Sequence, residues 1–123
     1  MSLIFIADDD ADVRDLVEYK LVQNGHDVLT AGNGLDALRL IARALPELLL
    51  LDVMMPGISG FDVLEQLRAG EYTRALPIIM LTAKAQEADT ERGFTLGAND
   101  YVLKPFSPRE LMSRVSAQLV PAG

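Results

Sequence analysis

The 123-residue sequence has no cysteine, no tryptophan and a single histidine. Without cysteine there is neither a disulfide nor a thiolate metal site, which suits a cytoplasmic setting. Long apolar runs are missing too. A membrane-spanning helix needs about 20 consecutive apolar residues, and the runs at 3–7 and 48–51 fall far short of that. No basic leader followed by an apolar stretch opens the chain, so nothing reads as a signal peptide. Basic residues are scarce. Eleven Lys and Arg face eighteen Asp and Glu, a net charge of −7, which is the wrong sign for gripping nucleic acid. Repeats, linkers and low-complexity stretches are absent as well. The length suffices for one domain over 1–123 with its own core.

What is present alternates. Leu3-Ile4-Phe5-Ile6-Ala7 reads as a buried strand running into an acidic cluster, Asp8, Asp9, Asp10 and Asp12. Val13, Leu16, Val17 and Leu21 mark one face of a helix stopped at Asn24-Gly25. A short strand over 27–31 follows, then a helix carrying Leu35, Leu38 and Ile41 up to Pro46. Leu48-Leu49-Leu50-Leu51 is apolar on both faces, the mark of a central parallel strand, and it ends in Asp52. Phe61, Leu64 and Leu67 give a third helix closing near Gly70. A strand over 77–81 ends in Thr82, a weaker helix covers 87–96, and a last strand over 100–103 ends in Lys104-Pro105. Ser107-Pro108-Arg109-Glu110 then pairs a capping box with proline at the first helical position, opening a helix that buries Leu111, Met112, Val115 and Leu119. Such alternation predicts an α/β fold, a parallel sheet covered by helices on both faces.

In open sheets of this kind ligands bind beyond the carboxyl ends of the strands. The polar residues at those ends are Asp8, Asp9, Asp52, Thr82 and Lys104. Two carboxylates about 4 Å apart repel by roughly 4 kcal/mol at an effective dielectric near 20. Three gathered at one rim therefore call for a cation. With no histidine or cysteine at the rim the ligands are hard oxygens, which suit Mg²⁺ or Mn²⁺. A divalent ion with open positions attracts a phosphoryl group.

Those same stretches resemble the receiver domain of two-component response regulators, in particular the chemotaxis-type single-domain receivers. The resemblance rests on Ile6-Ala7-Asp8-Asp9-Asp10, on Asp52-Val53-Met54-Met55-Pro56-Gly57-Ile58-Ser59-Gly60, on Leu81-Thr82-Ala83 and on the run from Gly97 to Phe106 containing Lys104-Pro105. It covers essentially the whole chain. It implies a flavodoxin-like doubly wound fold with strand order 2-1-3-4-5. It implies that Asp52 takes a phosphoryl group from the phosphohistidine of a sensor kinase or histidine phosphotransfer protein. Asp9, Asp52 and the backbone carbonyl of Met54 would bind Mg²⁺, with Asp8 acting largely through water. Lys104, Thr82 and the backbone N–H of Ala83 would hold the phosphoryl oxygens. Tyr101 would rotate inward as Thr82 moves, altering the surface of the last two helices and the strand between them, and Lys104-Pro105 would be cis. The partner downstream would be an output domain or protein, with no membrane or direct nucleic-acid binding by this domain. The chain would be a signalling switch that catalyses only its own phosphorylation and dephosphorylation, either complete or excised from a longer regulator.

Some positions depart from the family or invite other readings. Met54 and Lys84 occupy places that influence phosphoryl lifetime, and a methionine offers nothing to orient a hydrolytic water, so a long-lived phosphoaspartate is expected. Asp100, Glu110 and Arg114 resemble dimer-face charges of receivers joined to winged-helix factors, which would imply dimerisation on phosphorylation; Thr90 stands where that subclass usually has a basic residue, so one pairing would be missing. The rival function is a haloacid-dehalogenase-like phosphatase with Asp8 as nucleophile and Asp10 as acid/base. Gly32-Asn33-Gly34 imitates part of a dinucleotide fingerprint but follows the second strand, and reads as a tight turn. His26 reads as a surface turn residue.

Overall fold

A computed structural model describes residues 2–83 and 87–119, and of residues 87–89 the backbone alone. Lys84 lies outside the described residues. Ten elements alternate along the chain: β1 (Leu3–Ala7), α1 (Ala11–Gln23), β2 (Asp27–Ala31), α2 (Gly34–Ala44), β3 (Leu48–Asp52), α3 (Gly60–Ala69), β4 (Ile78–Ala83), α4 (Glu87–Leu96), β5 (Asp100–Lys104) and α5 (Pro108–Leu119). The strands form one parallel sheet in the order β2-β1-β3-β4-β5.

Side chains alternate across a strand, so the central strands serve two cores. Leu49 and Leu51 of β3 face one cluster with Phe5, Ile41, Phe61 and Leu64. Leu48 and Leu50 face the other with Ile4, Ile6, Val17, Leu21, Leu111 and Val115. All five residues of β3 are buried, which is why it reads as an unbroken apolar run.

The helices begin where polar side chains can accept from their free N–H groups. Asp10 Oδ1 accepts from Asp12 N at 2.9 Å and from Val13 N at 3.3 Å. Asn33 Oδ1 accepts from Asp36 N at 2.9 Å, so the glycine-flanked turn serves as a helix cap. Ser59 and Asp62 form a reciprocal capping box on α3, and Ser107 Oγ accepts from Glu110 N at 3.0 Å on α5.

Two leucines that helped mark the apolar pattern of helices are exposed, Leu16 at 45% and Leu35 at 63%. On α2 the seam is taken by Gly34, Ala37 and Ile41, and at about 100° per residue Leu35 falls roughly 160° round the helix from Ala37. On α1 the seam follows Val17 and Leu21, which leaves Leu16 about 100° away. The last two strands in the chain also run further than their apolar stretch predicts. β4 includes Thr82 and Ala83, and β5 includes Lys104.

Candidate metal centre

Register decides which loop residues meet. Ala7 pairs with Leu51, so the residues that follow, Asp8 and Asp52, emerge side by side. Ala83 pairs with Lys104 at the neighbouring edge. One carboxylate oxygen each of Asp8, Asp9 and Asp52 lies within 4.8 Å of the others.

Asp8 is fully buried and held at almost every polar atom. Its N–H donates to Ala31 O at 3.1 Å, its carbonyl accepts from Arg14 Nη1 at 2.7 Å, and Oδ1 accepts from Asp10 N at 3.0 Å. Only Oδ2 is left. It is buried without a well-directed hydrogen bond, although Lys104 Nζ stands 2.7 Å away as an ion-pair partner. Asp52 is also buried. Its Oδ1 accepts from Met54 N at 3.3 Å and lies 3.4 Å from Lys104 Nζ. Asp9 is exposed and forms the open side of the cluster.

The electrostatics follow from this crowding. Burial first, and the charge of Asp8 second, push the Asp52 carboxyl up to about 7, against the pull of Lys104 in the other direction. Burial works to lower the Lys104 ammonium, but its close contact with the Asp8 carboxylate and the charges of Asp52 and Asp8 outweigh it and raise the lysine above its usual value. Among the described residues Lys104 pairs with two of the three carboxylates, Asp8 and Asp52. A divalent cation fits this donor set: hard oxygens, one buried oxygen lacking a directed partner, and an exposed carboxylate on the solvent side.

The other predicted residues occupy graded positions. Thr82 is buried inside β4. Ala83 is exposed at its end. Met54 is 71% exposed on the loop after Asp52. Lys104-Pro105 is cis. Tyr101 lies one pleat behind, paired with Met80, and it is already buried, its ring 5.2 Å from that of Phe94.

Three residues near the site were given no part in it by the sequence reading, although Gly32 and Gly60 lay in stretches it singled out. Arg14 reaches back to Asp8. Gly32 leaves room for its guanidinium. Gly60 passes so close to the Asp52 carbonyl that a Cβ there would strike it. A cation in the first turn of α1, where the helix dipole disfavours it, was the one available signal for Arg14.

Known proteins are similar to this chain in sequence and fold. The profile of the response regulator receiver domain matches residues 4–116. The chain belongs to the response regulator receiver domain family. This receiver is 45% identical over 116 residues, 94% of its length, to the alkaline phosphatase synthesis transcriptional regulatory protein PhoP of Bacillus subtilis, covering 48% of that protein. It is 44% identical over 116 residues to the phosphate regulon transcriptional regulatory protein PhoB of Pseudomonas aeruginosa, covering 51% of it. The receiver thus spans about half the length of these relatives. Among solved structures it is similar to a Chloroflexus aurantiacus protein described as a response regulator, with a TM-score of 0.93, 40% identity and 98% of both chains covered. The chemotaxis protein CheY4 of Vibrio cholerae gives a TM-score of 0.91 at 29% identity, with 97% of this chain and 99% of that one covered.

The family is a signalling switch, which removes the phosphatase reading. The geometry agrees. Asp8 is fully buried behind the lysine, poorly placed for a nucleophile, and Asp10 is engaged as the cap of α1. Among the described residues no helix is long and apolar enough to cross a membrane.

Proposed function

We propose that Asp52 is the phosphoryl acceptor of this receiver and that Mg²⁺, or Mn²⁺ in its place, is held by Asp9, Asp52 and the Met54 carbonyl, with Asp8 acting through water. The observation that carries the reading is the gathering of three carboxylates, with one oxygen of each within 4.8 Å of the others, two of which pair with Lys104. When bound, the divalent ion neutralises charge on the carboxylates and on the transferring group.

The chain's own residues do the rest. An Asp52 carboxylate oxygen bonds to phosphorus while the bond from phosphorus to the donor's imidazole nitrogen breaks, and the nitrogen keeps the electron pair. Asp52 must be ionised to attack, and a divalent cation held beside it would favour that ionised form. Lys104 and the Ala83 N–H stand at adjoining strand ends, where they receive phosphoryl oxygens; Thr82 moves in from β4 to join them. The product site carries about −1.5 to −2 in place of one carboxylate charge, and that difference biases the face of α4, β5 and α5, including Tyr101, toward the active form. Loss of the phosphoryl group to water is the chain's own slow reaction, because Met54 brings no polar side chain to orient a water.

The donor is a sensor histidine kinase or a histidine phosphotransfer protein, and the output is a further domain or a protein partner of a longer cytoplasmic regulator, in which 1–123 is one receiver domain. A symmetric dimer formed on phosphorylation through Asp100, Glu110 and Arg114 would compete with pairs inside the chain. Arg114 Nη1 already lies 2.9 Å from Asp100 Oδ1, and its Nη2 3.9 Å from Glu110.

Intact mass after treatment with acetyl phosphate and Mg²⁺ tests the reading. One phosphoryl addition is expected, lost with EDTA and with Asp52→Asn. An addition that survives Asp52→Asn would place the acceptor elsewhere.

A further inference from the structure

We infer that Arg14 is a positioning residue of the acidic site, holding the loop between β1 and α1 by the main-chain carbonyl of Asp8 so that Asp8 and Asp9 keep their register against Asp52. The inference rests on the metal-centre reading above for its consequence, though not for its geometry. Arg14 Nη1 donates to Asp8 O at 2.7 Å across six residues. That carbonyl belongs to a fully buried residue, and a buried carbonyl needs a partner.

The berth is shaped for the guanidinium. A Cβ built on Gly32, in the loop after β2, would come within 3.1 Å of Arg14 Nη1 and 3.6 Å of Arg14 Cζ. Glycine therefore lets the planar group lie between two loops at the same end of the sheet. Arg14 has, moreover, no carboxylate within 4.0 Å among the described residues, whose ion pairs all involve other side chains.

Its place in the helix is otherwise unfavourable. Asp10 is the cap of α1 and Ala11 its first residue, so Arg14 carries a cation in the first turn, where the dipole favours anions. A local rule broken in a well-packed domain points to a gain elsewhere. Here the gain is the fixed loop. With Arg14 on the carbonyl, Ala31 O on the N–H and Asp10 N on Oδ1, Asp8 has no freedom to turn, and Asp9 follows it.

Two opposite effects make the idea testable. Charge alone would have Arg14 repel Mg²⁺, so its removal would tighten binding; positioning requires removal to weaken it. Mg²⁺ dissociation constants are to be measured by NMR titration of the metal-free full chain as wild type, Arg14→Met, Arg14→Lys and Gly32→Ala. Thermal midpoints and the hydrogen exchange of the Asp10 amide are to be followed alongside. Arg14→Met and Arg14→Lys are expected to weaken Mg²⁺ three- to tenfold and to speed Asp10 exchange by more than any change in global stability explains. Gly32→Ala, which retains the arginine and nudges its guanidinium, should move both readouts the same way by less. Unchanged or tighter Mg²⁺ binding in Arg14→Met, with Asp10 exchange as in wild type, would overturn the proposal. Wild type failing to bind Mg²⁺ would instead strike the metal reading, and the amide exchange would still decide whether Arg14 fixes the loop.

Discussion

Lys104 Nζ lies 2.7 Å from Asp8 Oδ2 and 3.4 Å from Asp52 Oδ1. The ammonium is thus parked closer to the carboxylate at the back of the site than to the proposed acceptor. It lowers Asp52 only partly, because burial and Asp8 act on Asp52 more strongly. Replacing Lys104 with alanine should therefore carry the Asp52 carboxyl above its value of about 7, read by carbon NMR of the carboxyl groups without metal. A fall on substitution would mean that the lysine does not act on Asp52 through its charge.

The raised Asp52 makes stability depend on pH in a stated direction. In the unfolded chain its carboxyl titrates near 3.8, and in the folded one at about 7. The folded state therefore keeps a proton that the unfolded state has released, and stability falls as pH rises from about 4 to about 7. At roughly 1.4 kcal/mol per pH unit of separation the loss is a few kcal/mol. Lys104, raised above 10.5, stays charged across this window and does not contribute to the change. Thermal denaturation without divalent ions is expected to give a lower midpoint at pH 8 than at pH 5.5. Mg²⁺ should close the gap and Asp52→Asn should flatten it. A midpoint that climbs over this range would contradict the burial argument.

Gly60 opens α3 with its N–H on Val53 O at 2.8 Å, and the berth for a Cβ is occupied by the backbone carbonyl of Asp52. Backbone cannot step aside as a flexible side chain does. Gly60→Ala should cost about 2–3 kcal/mol in urea denaturation, with weaker Mg²⁺ binding as the end of β3 is pushed. A neutral result would show that α3 can shift without disturbing the site.

Gly93 sits on α4 against Tyr101, whose ring edge and hydroxyl fill the space a Cβ would need. In an exposed helix interior Gly→Ala would add about 1 kcal/mol of stability. Against the tyrosine, overpacking of about 1–3 kcal/mol opposes that gain. Gly93→Ala is expected to drive Tyr101 outward, seen as increased solvent exposure of its ring by NMR, with no net gain in stability. A ring that stays buried while stability rises would show that the berth has slack.

Much of this receiver was legible before any coordinates. Strands buried on both faces have no choice but to be apolar throughout, so β1, β3 and β4 stand out in the chain. The polar residue at or next to the end of each one marks the rim of the sheet, and so Asp8, Asp52 and Thr82 could be named together. The caps Asp10, Ser59 and Ser107 are local, made within three residues, and local chemistry is what a sequence states directly.

The remainder was decided by packing between elements far apart in the chain. Periodicity could not say that Leu16 and Leu35 face solvent, because small residues and neighbouring helices choose the seam. Nor could it say that Lys104 leans toward Asp8, that Tyr101 already lies beneath α4, or that Arg14 crosses Gly32 to reach the Asp8 carbonyl. Composition and order determine which groups stand at the strand ends. The distances among them, and hence the raised Asp52, exist only once register and burial have brought those ends together.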